Sequence, residues 1–176
     1  ELKDAALAAV QAPGHTFGTT GSHTCRFRMN GSFLQCTLPS GRPIYYPFPR
    51  IRMAHPPWMT DEEIKKDKSG HKKNPGLTYM TVGLNNQWMR TGTHGGKQCE
   101  NVTSGFSSDI LRNGLENLEK ENYPVIMHVH DEMVAHVHEG FGSTDDVEEI
   151  MRLPQKIAPG LPLAAEAWRG KRFRKG

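Results

Sequence analysis

The chain has 176 residues, 36% hydrophobic and 23% charged, with a formal net charge of +3. That is enough chain for one ordinary domain with its own core, and the composition points to a mostly globular chain rather than a disordered one. Three cysteines with no Cys-x-x-Cys pair exclude a disulfide framework and fit a reducing cytoplasm, while the absence of an apolar run of about 18 residues excludes a membrane-spanning helix.

In chain order, Leu2, Ala5, Ala6, Ala9 and Val10 form one helical stripe over residues 1–11, closed by Pro13-Gly14. The chain opens on Glu1 within this pattern, so it is expected to be a piece of a longer protein. Residues 23–48 read as a three-stranded meander. Its arms are Thr24–Met29, Ser32–Leu38 and Arg42–Tyr46, joined by Asn30-Gly31 and Pro39-Ser40-Gly41. Residues 52–76 read as an exposed insertion, because Asp61–Lys68 balances its charges around a single large apolar residue, Ile64. A second hairpin pairs Leu77–Val82 with Gln87–Arg90 across Asn85-Asn86.

A long helix is expected over 97–121. Val102, Phe106 and Ile110 make one apolar row, and Leu111, Leu115 and Leu118 the next. Lys97, Asn101, Ser104 and Ser108 lie on its polar side, and Gly105 and Gly114 weaken it by about 1 kcal/mol each relative to Ala. Pro124 ends the helix. A short helix over 145–152 with Thr144 as N-cap, a final strand over Leu161–Trp168 and a basic tail (Lys171, Arg172, Arg174) complete the chain.

Between the two helices, Val125–His130 and Met133–His138 are alternating arms around Asp131-Glu132. Alternation sends Val125, Met127 and Val129 to one face, and Ile126, His128 and His130 to the other. Two adjacent carboxylates are poor turn formers and repel each other, so a compensating divalent cation is one reading. A plain acidic turn is the second. A zinc site built from His128, His130, His136 and His138 is the third, weakened because those imidazoles are split between two arms.

The order of motifs resembles the C-terminal part of family A, DNA polymerase I-like, DNA polymerases, in particular the bacteriophage branch. The match rests on four blocks in sequence. They are Leu38-Pro39-Ser40-Gly41-Arg42 with Ile44-Tyr45-Tyr46-Pro47; Gly95-Gly96-Lys97 with Glu100-Asn101 and Asp109-Ile110-Leu111; Tyr123-Pro124 running into His128-Val129-His130-Asp131-Glu132; and Leu161–Glu166 with Trp168, Gly170 and Lys171-Arg172-Phe173.

The resemblance implies an α+β fold. An antiparallel palm sheet would carry a metal-binding β-hairpin and a long packing helix, preceded by a small β meander. Residues 1–22 would be the end of a fingers or helical connection, and 23–176 the palm portion with a variable loop at about 52–76. It implies template-directed DNA synthesis with two Mg²⁺ ions. Asp131 would be a metal ligand, Glu132 an auxiliary catalytic acid, and His130 a neighbour of the primer terminus. Lys97, Asn101, Ser104 and Arg42 would contact primer–template DNA, with dNTPs as substrates. Ser104 stands where many relatives carry Gln, and His94 where a Tyr is common.

No second metal-binding Asp on a strand and no triphosphate-binding fingers helix is legible in the chain. The expectation is therefore a part of a larger or split polymerase, inactive alone, whose missing N-terminal part acts in cis or as a separate chain. The alternative is a non-catalytic DNA-binding fragment.

Overall fold

Leu2–Gln11 is helix α1, and its alanines are the reason it packs closely: Ala5, Ala6 and Ala9 are buried. The helix stops where Pro13 forces Ala12 out of the helical region (φ −124°, ψ 73°). The computed structural model describes residues 1–21, 24–56 and 59–173. His23, at the start of the expected meander, lies outside the described residues, as do residues 57 and 58 of the expected insertion.

The meander is four-stranded rather than three-stranded. Strands β1 (Thr16–Gly18), β2 (Arg26–Asn30), β3 (Phe33–Thr37) and β4 (Pro43–Pro47) pair antiparallel in that order. β1 has only three residues, too few for alternation to declare itself in sequence. The first hairpin turns at Gly31-Ser32, one residue later than expected, since Asn30 pairs with Phe33. Gly31 sits there at φ +56°, the backbone that a two-residue hairpin demands at its first central position. Registers Phe17↔Phe27↔Cys36↔Ile44 and Leu34↔Tyr46 put these side chains on one face, against α1.

A second antiparallel sheet runs β5 (Arg50–Ala54), β6 (Asn74–Val82), β7 (Trp88–Thr93). Its Leu77 joins the same core, with Tyr79 packed against it. The insertion is thus narrower than 52–76, because its two ends are strands: Met53 pairs with Pro75 and Ala54 with Asn74. Within it, α2 (Asp61–Lys66) starts on a reciprocal cap between Thr60 and Glu63. The Asp67 carboxylate then accepts from the backbone N–H of His71 (3.1 Å) and Lys72 (3.0 Å) and faces His55 Nε2 at 3.0 Å.

The long helix α3 is Gly95–Lys120. The glycine at 105 has a packing reason, because a Cβ there would stand 2.9 Å from Leu38 Cδ1 and 3.4 Å from Ile44 Cδ1. The chain divides into two units, Glu1–Gly105 and Phe106–Gly176.

In the second unit, β8 (Val125–Val129) and β9 (Glu132–Ala135) form a two-stranded antiparallel sheet, and α4 spans Thr144–Arg152. Leu118, Tyr123 and Ala158 are its buried apolar residues. Tyr123 packs edge-on against Phe141 (centroids 5.1 Å) and donates from its hydroxyl to Asp146 Oδ2 at 3.2 Å.

The N-cap of α4 is Ser143, one residue before the expected Thr144. Its Oγ accepts from Asp146 N (3.0 Å), and its own N–H donates to Asp146 Oδ2 (2.8 Å). Ser143→Ala is expected to cost about 1 kcal/mol, read as a lower urea midpoint with an unchanged slope. A loss below a few tenths would mean the box carries nothing.

The expected strand over 161–168 does not form. Side chains hold that stretch instead. Arg152 Nη2 donates to Ala165 O (2.6 Å), Glu148 Oε1 accepts from Ala167 N (2.9 Å), and Arg169 donates to the carbonyls of Phe141 and Gly142. Pro162 removes one ladder donor from it.

The arrangement is mixed α and β, with every strand pairing antiparallel. Among the described residues, no helix is long and apolar enough to cross a membrane.

Candidate functional site

Two places carry the residues singled out in the sequence, one in each unit. The first is a cleft of about 420 Å³ between α3 and the meander, lined by Arg42, Tyr46, Tyr79, Glu100, Asn101 and Ser104 among others. Helical spacing is the cause: Lys97, Asn101 and Ser104 follow at i, i+4 and i+7 and so share one side of α3.

Asn101 Nδ2 donates to the Tyr46 hydroxyl at 3.3 Å, and Tyr46 rests edge-on against Tyr79 at 5.1 Å. Burial pushes the Tyr46 hydroxyl above its ordinary pKa, against the opposing effect of the Asn101 bond. Arg42 reaches across to Gly105, its Nη2 donating to the carbonyl oxygen at 2.6 Å. Chemically the cleft offers a carboxamide, a hydroxyl and a guanidinium at one wall, suited to oxygen and nitrogen acceptors rather than to bond-making.

Lys97 does not line that cleft. Its Nζ pairs with Glu100 Oε1 at 2.6 Å, one turn nearer the start of α3, and both side chains are well exposed. Such a pair is weak and leaves Lys97 free to exchange partners at little cost. Sequence reasoning misses Tyr46, Tyr79 and Glu100 as cleft residues. The Tyr45-Tyr46 pair is visible in it, but alternation does not say which of the two points inward; Tyr46 is 1% exposed and Tyr45 48%.

The second place is the β8–β9 hairpin. The turn residues are His130-Asp131, not Asp131-Glu132: Glu132 already pairs with Val129 as the first residue of β9. His130 takes φ +54°, so the left-handed position that the turn needs falls on a histidine. Held there, that backbone costs on the order of 1 kcal/mol, the kind of strain found at ligand-binding turns. Asp131 and Glu132 are both exposed.

The simple alternation of faces also fails. A bulge between Val125 and Met127 leaves Ile126 without a partner across the ladder. Val125 therefore shares a face with His128 and Met133, while Met127, Val129, Glu132 and Val134 share the other.

Among the described residues, no three His, Cys, Asp or Glu side chains come together as a metal site. The four-histidine zinc arrangement is thus not assembled. Of the tail cations, Lys171 and Arg172 are exposed, and Arg174 lies outside the described residues.

Over 165 residues the chain is 33% identical to a DNA polymerase of Bacillus phage SP02, covering 94% of this chain and 23% of that polymerase. The chain thus spans about a quarter of the length of the curated relative it matches, and over nearly all of its own length it is related to that polymerase. No family model matches the chain. No solved structure matches it either.

Proposed function

We propose that this chain is the C-terminal, palm portion of a family A-type phage DNA polymerase and takes part in template-directed DNA synthesis within a host cell. The observation that carries the reading is the His130-Asp131-Glu132 hairpin, standing inside a chain that over 165 residues is 33% identical to part of a phage DNA polymerase.

In this reading Asp131 is one ligand of the catalytic Mg²⁺ ions and Glu132 an auxiliary acid beside them. His130 lies near the primer end. When bound, two Mg²⁺ ions would stabilise the attacking 3′-oxygen and the leaving pyrophosphate. A tight two-residue turn suits Asp131 to this task because it projects the carboxylate outward from the hairpin tip. The second metal-binding carboxylate and the triphosphate-binding residues then come from the rest of the polymerase, in cis or as a separate chain.

The hairpin itself supports this division. β8 and β9 pair only with each other among the described residues, and Ile126 is 65% exposed, so the sheet has apolar surface and open edges that a further strand would cover. Asn101, Ser104 and Arg42, with Lys97 a turn away, would contact primer–template DNA. Ser104 reaches less far than the Gln common at its position, so minor-groove contact would lean on Asn101.

A second reading, a non-catalytic DNA-binding subunit, is favoured by the cleft, whose polar wall needs no metal. Primer extension with the chain alone, and with an upstream polymerase portion supplied, separates the two. Synthesis is expected only in the second case. Robust synthesis by the chain alone would overturn the division proposed here, and none with any upstream portion would favour the non-catalytic reading.

A further inference from the structure

One face of the β5–β6–β7 sheet enters the core at Leu77 and Tyr79, and the other face turns away from it. Leu77, Tyr79 and Thr93 point inward, with Leu77 and Thr93 buried. The register Arg50↔Thr78↔Gly92, with Met80↔Arg90 and Val82↔Trp88, assigns the opposite parity to the outer face. That face therefore presents Arg50, Arg52 and Arg90 together with Trp88, which is 62% exposed.

No Asp or Glu occurs anywhere in these three strands. Arg50 and Arg52 lie close enough to Arg90 to depress its pKa, beneath the larger effect of its own desolvation. Three guanidinium groups gathered on strands that carry no counter-charge repel one another, and an anion relieves that cost. Arg90 is also held in place, its Nη1 donating to the Phe48 carbonyl (2.9 Å) and to Thr78 Oγ1 (3.3 Å).

We propose that this outer face binds single-stranded nucleic acid, with Arg50, Arg52 and Arg90 on phosphates and Trp88 stacked on a base. Arg50 and Arg52 stand two residues apart on one strand, about 6.6 Å. That spacing is wide enough to meet separate phosphates, which follow one another at roughly 3.4 Å along the axis even in a stacked strand. Gly76 and Gly92 leave the sheet low between the arginines, so a backbone can lie against it. An exposed indole beside a basic sheet selects an unstacked strand over a duplex, whose base faces are already covered, and over an acidic peptide, which has no base to stack. This surface is separate from the α3 cleft in residues and in chemistry, and it does not rest on the polymerase reading.

The test is anisotropy of a labelled twelve-residue oligothymidylate with the full chain at several salt concentrations, together with its quenching of tryptophan fluorescence. The double variant Arg50→Gln/Arg52→Gln is expected to weaken binding by about tenfold or more. It should also flatten the slope of log K against log salt by about 1.4, two contacts at roughly 0.7 each. Trp88→Ala should cost about fivefold or more without changing the slope, and Trp88→Phe should restore most of the affinity while losing most of the quench.

Unchanged affinity and slope in the double variant would overturn the proposal, as would quenching retained in Trp88→Phe. Equal competition by polyglutamate of matched charge would also overturn it. Should the double variant fail to fold, the two Trp88 variants decide the matter alone.

Discussion

Assembled into a complete polymerase, an Asp131→Asn chain is expected to lose primer extension by on the order of 10³-fold or more, while folding and binding DNA as the native chain does. The substitution keeps the size of the side chain and removes its charge. A divalent cation held by this carboxylate would contribute several kcal/mol of charge stabilisation to the transition state, and each 1.4 kcal/mol lost is roughly a factor of ten.

Stability should move little, because Asp131 is exposed at the turn and its side chain enters none of the hydrogen bonds or ion pairs among the described residues. The strained position in that turn belongs to His130, which is unchanged. Single-turnover rates, a DNA affinity and a thermal midpoint on the same preparation check all three parts. A variant that keeps most of its rate would remove Asp131 from the metal site, and with it the proposed role of the hairpin.

Phe27→Ala should be the most damaging single change in the first unit, at about 3–5 kcal/mol. Phe27 is fully buried in β2, paired with Phe17 on one side and Cys36 on the other. The cost has two parts: the transfer of a large apolar side chain back to water, and the cavity its neighbours fail to close. Leu34 and Cys36 are fixed in a ladder on the same sheet, and Ala5, Ala6 and Ala9 on α1 are too short to fill the space. For a domain whose whole stability is typically 5–15 kcal/mol, that is a large fraction. Urea unfolding followed by far-UV circular dichroism measures it. A loss below about 1 kcal/mol would mean that the sheet face is not the core described here.

Much of this fold is legible in the amino-acid order, for a local reason. The alanine stripe of α1, the apolar rows of α3 and the alternating arms of β6 and β7 each repeat within about a dozen residues, and their stops are written in Pro13 and Pro124. The His130-Asp131-Glu132 run is equally plain as a chemical anomaly, polar and charged between two apolar arms. Features that depend on a partner strand are not legible in the same way. β1 is too short to show alternation, and its pairing with β2 makes it a strand. The turn at Gly31-Ser32 falls one residue beyond Asn30-Gly31, strong as that local signal is, because cross-strand pairing of Asn30 with Phe33 overrides it. Residues 161–168 have a strand-like composition but meet side chains of α4 rather than a ladder.

Which residues are chemically able to matter is written in the chain itself: Asp131, Glu132 and His130 on one hairpin, and Asn101 and Ser104 on one helix. What each of them faces is set only by packing in three dimensions. A bulge at Ile126 reassigns the sides of β8, and inward packing of Leu77 and Thr93 puts Arg50, Arg52, half-buried Arg90 and exposed Trp88 together on the opposite face. The physical reason is that a strand's alternation fixes parity only. Which parity is buried depends on the apolar area a second layer supplies, and that layer comes from parts of the chain distant in sequence.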